Sequence, residues 1–247
     1  MLTQQLKDIA KKIELSSLKA GKRPQNIKLV AVSKFHDAEL MNEYLNVFQH
    51  VQPSCHNQVI FGEAYVQEYK NKVNKLQGDF KTHLIGAFQS NKVKDAIKLF
   101  DVIQSVHKKK LLELINEEAK KAKKVQNIYL QVNISQDDDK SGFNTDDALN
   151  IIKNDINRLD GIKLCGLMTI TKQYDEPQEA RGDFIKMKHF YDEIFSWVNS
   201  NYNNRPDSFE LSMGMSDDFD IAIEEGATMV RIGHRLFGER GYPFSNL

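Results

Sequence analysis

"KLVAVSKFHD", residues 28–37, decides how the rest of the chain is read. Leu29, Val30, Ala31 and Val32 form an unbroken aliphatic run, the pattern of a strand buried on both faces. Lys34 follows at its C-terminal end. Runs of similar character recur as "QVIFG" (58–62), "THLIGAF" (82–88), "DVIQSV" (101–106), "NIYLQVNIS" (127–135), "IKLCGLMTI" (162–170), "SFELSMG" (208–214) and "TMVRIG" (228–233). Between them the periodicity predicts helices, among them Lys109 to Lys124 and Asp183 to Asn201. Eight strands alternating with helices over 247 residues predict an α/β chain folded as a (β/α)8 TIM barrel. An extra N-terminal helix, residues 1–20, precedes the first strand. A doubly wound open sheet is the structural rival on the same alternation.

Composition narrows the function classes. The chain is 40% hydrophobic and 28% charged, with 13 Gly and 5 Pro, which is the make-up of a folded globular protein. Basic and acidic residues number 34 each, which argues against a polycation for nucleic acid. Cys55 and Cys165 are too few for a disulfide framework. The N-terminal segment is charged throughout, so neither a signal peptide nor a membrane span is expected, and a cytoplasmic location is. No Pro- or Gly-rich linker divides residues 1–247, so one domain is expected. The histidines are dispersed, and His50 and His56 with Cys55 lack a further ligand pair, so no metal site is expected.

In such a barrel the strand ends carry the chemistry. Lys34 reads either as a lysine whose ammonium snorkels to water or as an amine held partly desolvated, able to attack an aldehyde. "SMGMSDDFDIAIEEGATMVRIG" (212–233) places Ser212 and Ser216 around a glycine at a strand-to-helix turn. That composition suits an anion, although Ser216 also suits a simple helix cap. Gly233 ends the eighth strand, and the loops after strands seven and eight are a frequent phosphate site. Arg231 is open to two readings: an ion pair inside the barrel with Glu63 or Glu210, or a permanent cation beside a ligand nitrogen. His83, Ser105, His107, Asn133, Met168 and Thr169 also fall near strand ends, and Gln89 and Asn91 read as helix caps.

With these residues placed, the chain resembles the pyridoxal phosphate homeostasis protein family. The resemblance spans roughly residues 28–240 and is anchored by "AVSK" (31–34), "FGEAYVQE" (61–68), "HLIGAFQSNK" (83–92), "GLMTI" (166–170), "LSMGMSDDFDIAIEEGATMVRIG" (211–233) and "FGER" (237–240). It implies a barrel similar to the N-terminal domain of alanine racemase, holding pyridoxal 5′-phosphate as a Schiff base on Lys34. By the same resemblance Ser212, Met213, Ser216, Gly233 and His234 bind the phosphate, and Arg231 faces the pyridine nitrogen. An arginine there is a poor proton donor, which leaves the ring a weak electron sink. The chain departs from the family pattern at Phe35, Ala64, Thr82, Ala87 and His234, so a retained cofactor with altered surroundings is expected.

Two function classes follow from the resemblance. A carrier would buffer the cofactor or pass it to apo-enzymes; a racemase would need a second acid/base on the far face of the substrate. In alanine racemase that residue comes from an all-β domain, and the chain ends at Leu247, so the carrier is expected. A Schiff-base aldolase on a phosphorylated sugar is a remoter alternative. With no obvious dimerisation segment, a monomer is expected.

Overall fold

Strands buried on both faces satisfy their backbone only through lateral pairing, and eight twisted parallel strands do so by closing on themselves. A computed structural model, describing residues 1–55 and 57–238, has this closure. His56 and the Glu239–Arg240 end of the "FGER" run lie outside the described residues. β1 (Lys28–Val32), β2 (Ile60–Glu63), β3 (Lys81–Leu84), β4 (Val102–Val106), β5 (Gln126–Gln131), β6 (Ile162–Met168), β7 (Glu210–Ser212) and β8 (Met229–Ile232) pair in chain order. β8 returns to β1 in register from Lys28 opposite Met229 to Ala31 opposite Ile232. The fold is the (β/α)8 barrel, not the open sheet.

Several apolar runs continue past their strands. β3 ends at Leu84 and β5 at Gln131, where the chain leaves the ladder. The Ile85 amide makes a last bond to the Glu63 carbonyl at 2.8 Å, and Ile85, Gly86 and Ala87 line a cavity. The helices between strands are α2 (Ala38–Val51), α3 (Val66–Lys72), α4 (Val93–Leu99), α5 (Lys109–Lys121), α6 (Thr145–Asn154), α7 (Arg181–Asn201) and α8 (Phe219–Glu224), and α9 (His234–Phe237) follows β8. The extra helix α1 (Leu2–Lys19) buries Leu2, Leu6, Ile9 and Ile13 and packs on α2, α8 and α9, covering the seam where β8 meets β1. No helix among the described residues is long and apolar enough to cross a membrane.

Alternation along each strand divides the apolar residues into two cores. Leu29, Ala31, Val230 and Ile232 face outward to the helices. Val30, Ile60, Val102, Tyr129, Met168 and Met229 fill the barrel interior. Above that plug sits a polar layer of Gln104, Ser212 and Arg231, each at most 4% exposed.

Candidate functional site

The C-terminal strand ends open on a cavity of about 430 Å³, within the range of small-molecule sites. Val30 faces the interior, and the same alternation carries Val32 and then Lys34 to the cavity wall. Lys34 is half-buried. The next residue, Phe35, has φ +67°, a left-handed conformation that costs a non-glycine residue about 1–2 kcal/mol. Three bonds hold the turn. The Phe35 amide donates to Glu68 Oε1 at 2.7 Å, and Lys72 Nζ donates to the carbonyls of Ser33 and His36 at 2.9 and 3.0 Å.

Lys72 is itself buried between two carboxylates, 2.9 Å from Glu63 and 2.8 Å from Glu68. The Ser33 hydroxyl also donates to Glu63, at 2.6 Å. One ammonium against two carboxylates leaves a surplus negative charge out of water. The second oxygen of each carboxylate finds no hydrogen-bond partner among the described residues. Burial pushes the Glu63 carboxyl up to about 7, against the opposing pull of Lys72 and Ser33. This group escaped the sequence reading. The one signal available was the four-residue spacing of Glu68 and Lys72 on one helix.

The opposite wall comes from the β7 and β8 ends. Gly214, at φ +88°, turns the chain away from β7. A Cβ there would lie 2.5 Å from the Ala222 Cβ, so only glycine lets α8 pack this close. Asp218, not Ser216, occupies the N-cap of α8, and its Oδ1 accepts from the Met215 amide at 2.6 Å. Ser216 instead accepts from the Gly233 amide at 3.3 Å, which ties the β7 turn to the end of β8. Ser216, Gly233 and His234 all line the cavity. The amides of His234 and Arg235 open α9, where a first-turn N–H has no acceptor within the helix.

Two residues expected at the phosphate are set back from this cavity. Ser212 and Met213 are fully buried, and neither lines the cavity. Strand alternation is the reason. Ser212 points into the barrel, where it accepts from Arg231 Nη1 at 2.8 Å and donates to Gln104 at 2.7 Å. Met213 packs into the outer core.

Arg231 lines the cavity floor and is 4% exposed. Neither expected acidic partner reaches it, because Glu63 pairs with Lys72 and Glu210 pairs with Lys28 at 2.7 Å. Its second donor, Nη2, reaches the Thr169 carbonyl at 2.8 Å. Burial pulls the guanidinium down to about 10, which still leaves a cation at neutral pH.

The other polar candidates shape loops. Ser105 donates to the Gly86 carbonyl at 2.7 Å, and Asn133 donates to the Asp137 carbonyl at 2.8 Å. Asn133 thereby folds the loop that brings Asp139, Lys140 and Ser141 to the cavity, three residues the sequence reading missed. Gln89 makes no side-chain capping bond. Ala64 and Ala87 line the cavity, whereas Thr82 faces away and donates to the Leu99 carbonyl at 3.1 Å. A Cβ at Gly86 would lie 2.4 Å from the Ala64 carbonyl oxygen, so the loops after β2 and β3 meet through glycine.

The model of the alanine racemase N-terminal domain matches residues 12–241. Over 240 residues the chain is 34% identical to the pyridoxal phosphate homeostasis protein of Aquifex aeolicus (strain VF5), covering 97% of this chain and 98% of the relative. The chain belongs to the pyridoxal phosphate homeostasis protein family. PipY of Synechococcus elongatus PCC7942, solved with PLP bound, is similar at 31% identity and a TM-score of 0.76, covering 93% of this chain and 100% of that one. The barrel itself is shared more widely, beyond that family. An alanine racemase of Clostridium difficile 630 has a TM-score of 0.67 at 18% identity, over 98% of this chain and 58% of that one, a likeness of fold alone.

Proposed function

We propose that the chain binds pyridoxal 5′-phosphate in the cavity at the C-terminal strand ends and serves vitamin B6 homeostasis as a non-catalytic holder of the cofactor. One observation carries this reading: Lys34, Arg231 and the Ser216–Gly233–His234 corner line a single cavity. The residues fit the group in kind. Lys34 supplies an amine for the aldehyde. Ser216 and the backbone at Gly233 and His234 supply neutral donors for a phosphate. Arg231 supplies a permanent cation that accepts no proton from a ring nitrogen and readily gives none. When bound, the cofactor brings an electrophilic aldehyde and an electron-withdrawing ring. The protein's part is to hold the amine in place, bind the anion and leave the ring nitrogen unprotonated, which favours storage over carbanion chemistry. A cytoplasmic monomer that buffers the cofactor or hands it to apo-enzymes completes the proposal.

The test is an absorption spectrum of the purified protein before and after adding pyridoxal phosphate, followed by borohydride reduction and peptide mapping. A visible band trapped on Lys34, and lost in Lys34→Ala, is the expected result. Full trapping in Lys34→Ala overturns the assignment. Racemisation of any amino acid in a panel on the order of 1 per second would make the protein an ordinary enzyme instead.

A further inference from the structure

Arg231 does not stand alone in the barrel. Its Nη1 donates to Ser212 Oγ at 2.8 Å, Ser212 donates to Gln104 Oε1 at 2.7 Å, and Gln104 Nε2 lies 2.7 Å from His83 Nδ1. All four side chains are at most 4% exposed, so water does not substitute for any partner. We propose that Gln104 and His83 are positioning residues that fix the Arg231 guanidinium at the cavity floor, acting through Ser212.

The direction of every bond follows from one end of this chain of groups. A guanidinium only donates. The single Ser212 proton is therefore free to go to Gln104, which must present its oxygen. Its NH2 then faces His83, whose Nδ1 must be the unprotonated, accepting nitrogen. Burial pushes the His83 imidazole down to about 3, so it stays neutral and able to accept at ordinary pH. Reversing the Gln104 amide would turn two donors on Ser212 and leave its own proton without an acceptor in a buried site. The arrangement thus has one satisfied state, and that state sets where the Ser212 lone pair, and with it Arg231 Nη1, must lie. Gln104 and His83 are 127 and 148 positions before Arg231 in the chain, on β4 and β3, so adjacent barrel strands supply the support.

This inference rests on the reading that Arg231 meets the bound cofactor. The test measures pyridoxal phosphate affinity and the visible spectrum of the loaded protein, with apo-protein melting as a control for folding. Gln104→Met removes both bonds at similar volume and should weaken binding about tenfold. Gln104→Glu can still accept from Ser212, and from His83 after a tautomer change, and should stay within about threefold of wild type. In a Ser212→Ala background, Gln104→Met should have no further effect, because the link to Arg231 is already cut. Wild-type affinity in folded Gln104→Met protein overturns the proposal, as does a loss that persists undiminished in the Ser212→Ala background. Should Gln104→Met not fold, His83→Leu replaces it in the same cycle: it should weaken binding, and His83→Gln, which keeps an acceptor, should not. Failure of the wild-type protein to bind pyridoxal phosphate would overturn the cofactor reading itself, a distinguishable result.

Discussion

His83, buried without charge in the barrel, makes the fold sensitive to acid. The imidazole is 4% exposed on β3, against the Tyr129 ring. Desolvation lowers it from 6.5 to about 3; Asp101 opposes that shift, while Lys28 and Lys81 reinforce it. In the unfolded chain the same group takes up a proton near its ordinary value of 6.5. The neutral form is the one the fold accepts, so its contribution is fully present above that value and is lost as pH falls towards the folded one. Integrating the linkage relation from about pH 7.5 to about pH 4.5 gives a loss of about 2–3 kcal/mol from this group. Other groups also titrate over that range, so the measurement is a difference between proteins. Urea unfolding of wild type and His83→Gln at both pH values isolates the imidazole, since glutamine keeps an acceptor for Gln104 without a titrating proton. Wild type should lose about 2–3 kcal/mol more than the variant. Equal losses, within about 0.5 kcal/mol, would refute the claim that His83 is held neutral by burial.

Four further outcomes are expected. Lys72→Met strands two buried carboxylates and should destabilise by about 3–5 kcal/mol in denaturant unfolding. Because burial already pushes the Glu63 carboxyl up to about 7 against the pull of Lys72, removing that ammonium raises it further, and the deficit should grow as pH rises through neutrality. Gly214→Ala meets both a left-handed φ and a Cβ contact of 2.5 Å, and should lower the melting temperature by about 5 °C or more. Lys34→Ala should melt within a few degrees of wild type while losing the borohydride-trapped product. Gln104→Met should weaken cofactor binding about tenfold in titrations of the visible band.

The barrel was legible because parallel strands buried on both faces need continuous apolar runs, and those runs mark their own positions. Lys34 was legible for the related reason that a cation directly after such a run is conspicuous. What stayed hidden depends on partners distant in the chain. Gln104 sits inside "DVIQSV" next to Ser105 with nothing to single it out, and its partner Ser212 is 108 positions away. Lys72 lies in a segment with lysines at 70, 72 and 75, and only packing shows that the middle one is buried. Strand parity was not legible either: Ser212, still on β7, turns to Gln104 and Arg231 inside the barrel, whereas Ser216, past the turn, lines the cavity.

The clamp on the first turn has a kinetic consequence. Lys72 grips the carbonyls on both sides of Lys34 and Phe35, and Glu68 holds the amide between them. The backbone that carries Lys34 is thereby pinned by α3, a helix from the next β/α unit. Taking on or giving up a ligand at Lys34 therefore calls for motion of one side chain's own torsions, not for opening of the loop that bears it. Exchange in such a site is paced by bond making and breaking at the amine, so its rate should follow pH and competing amines and be indifferent to solvent viscosity.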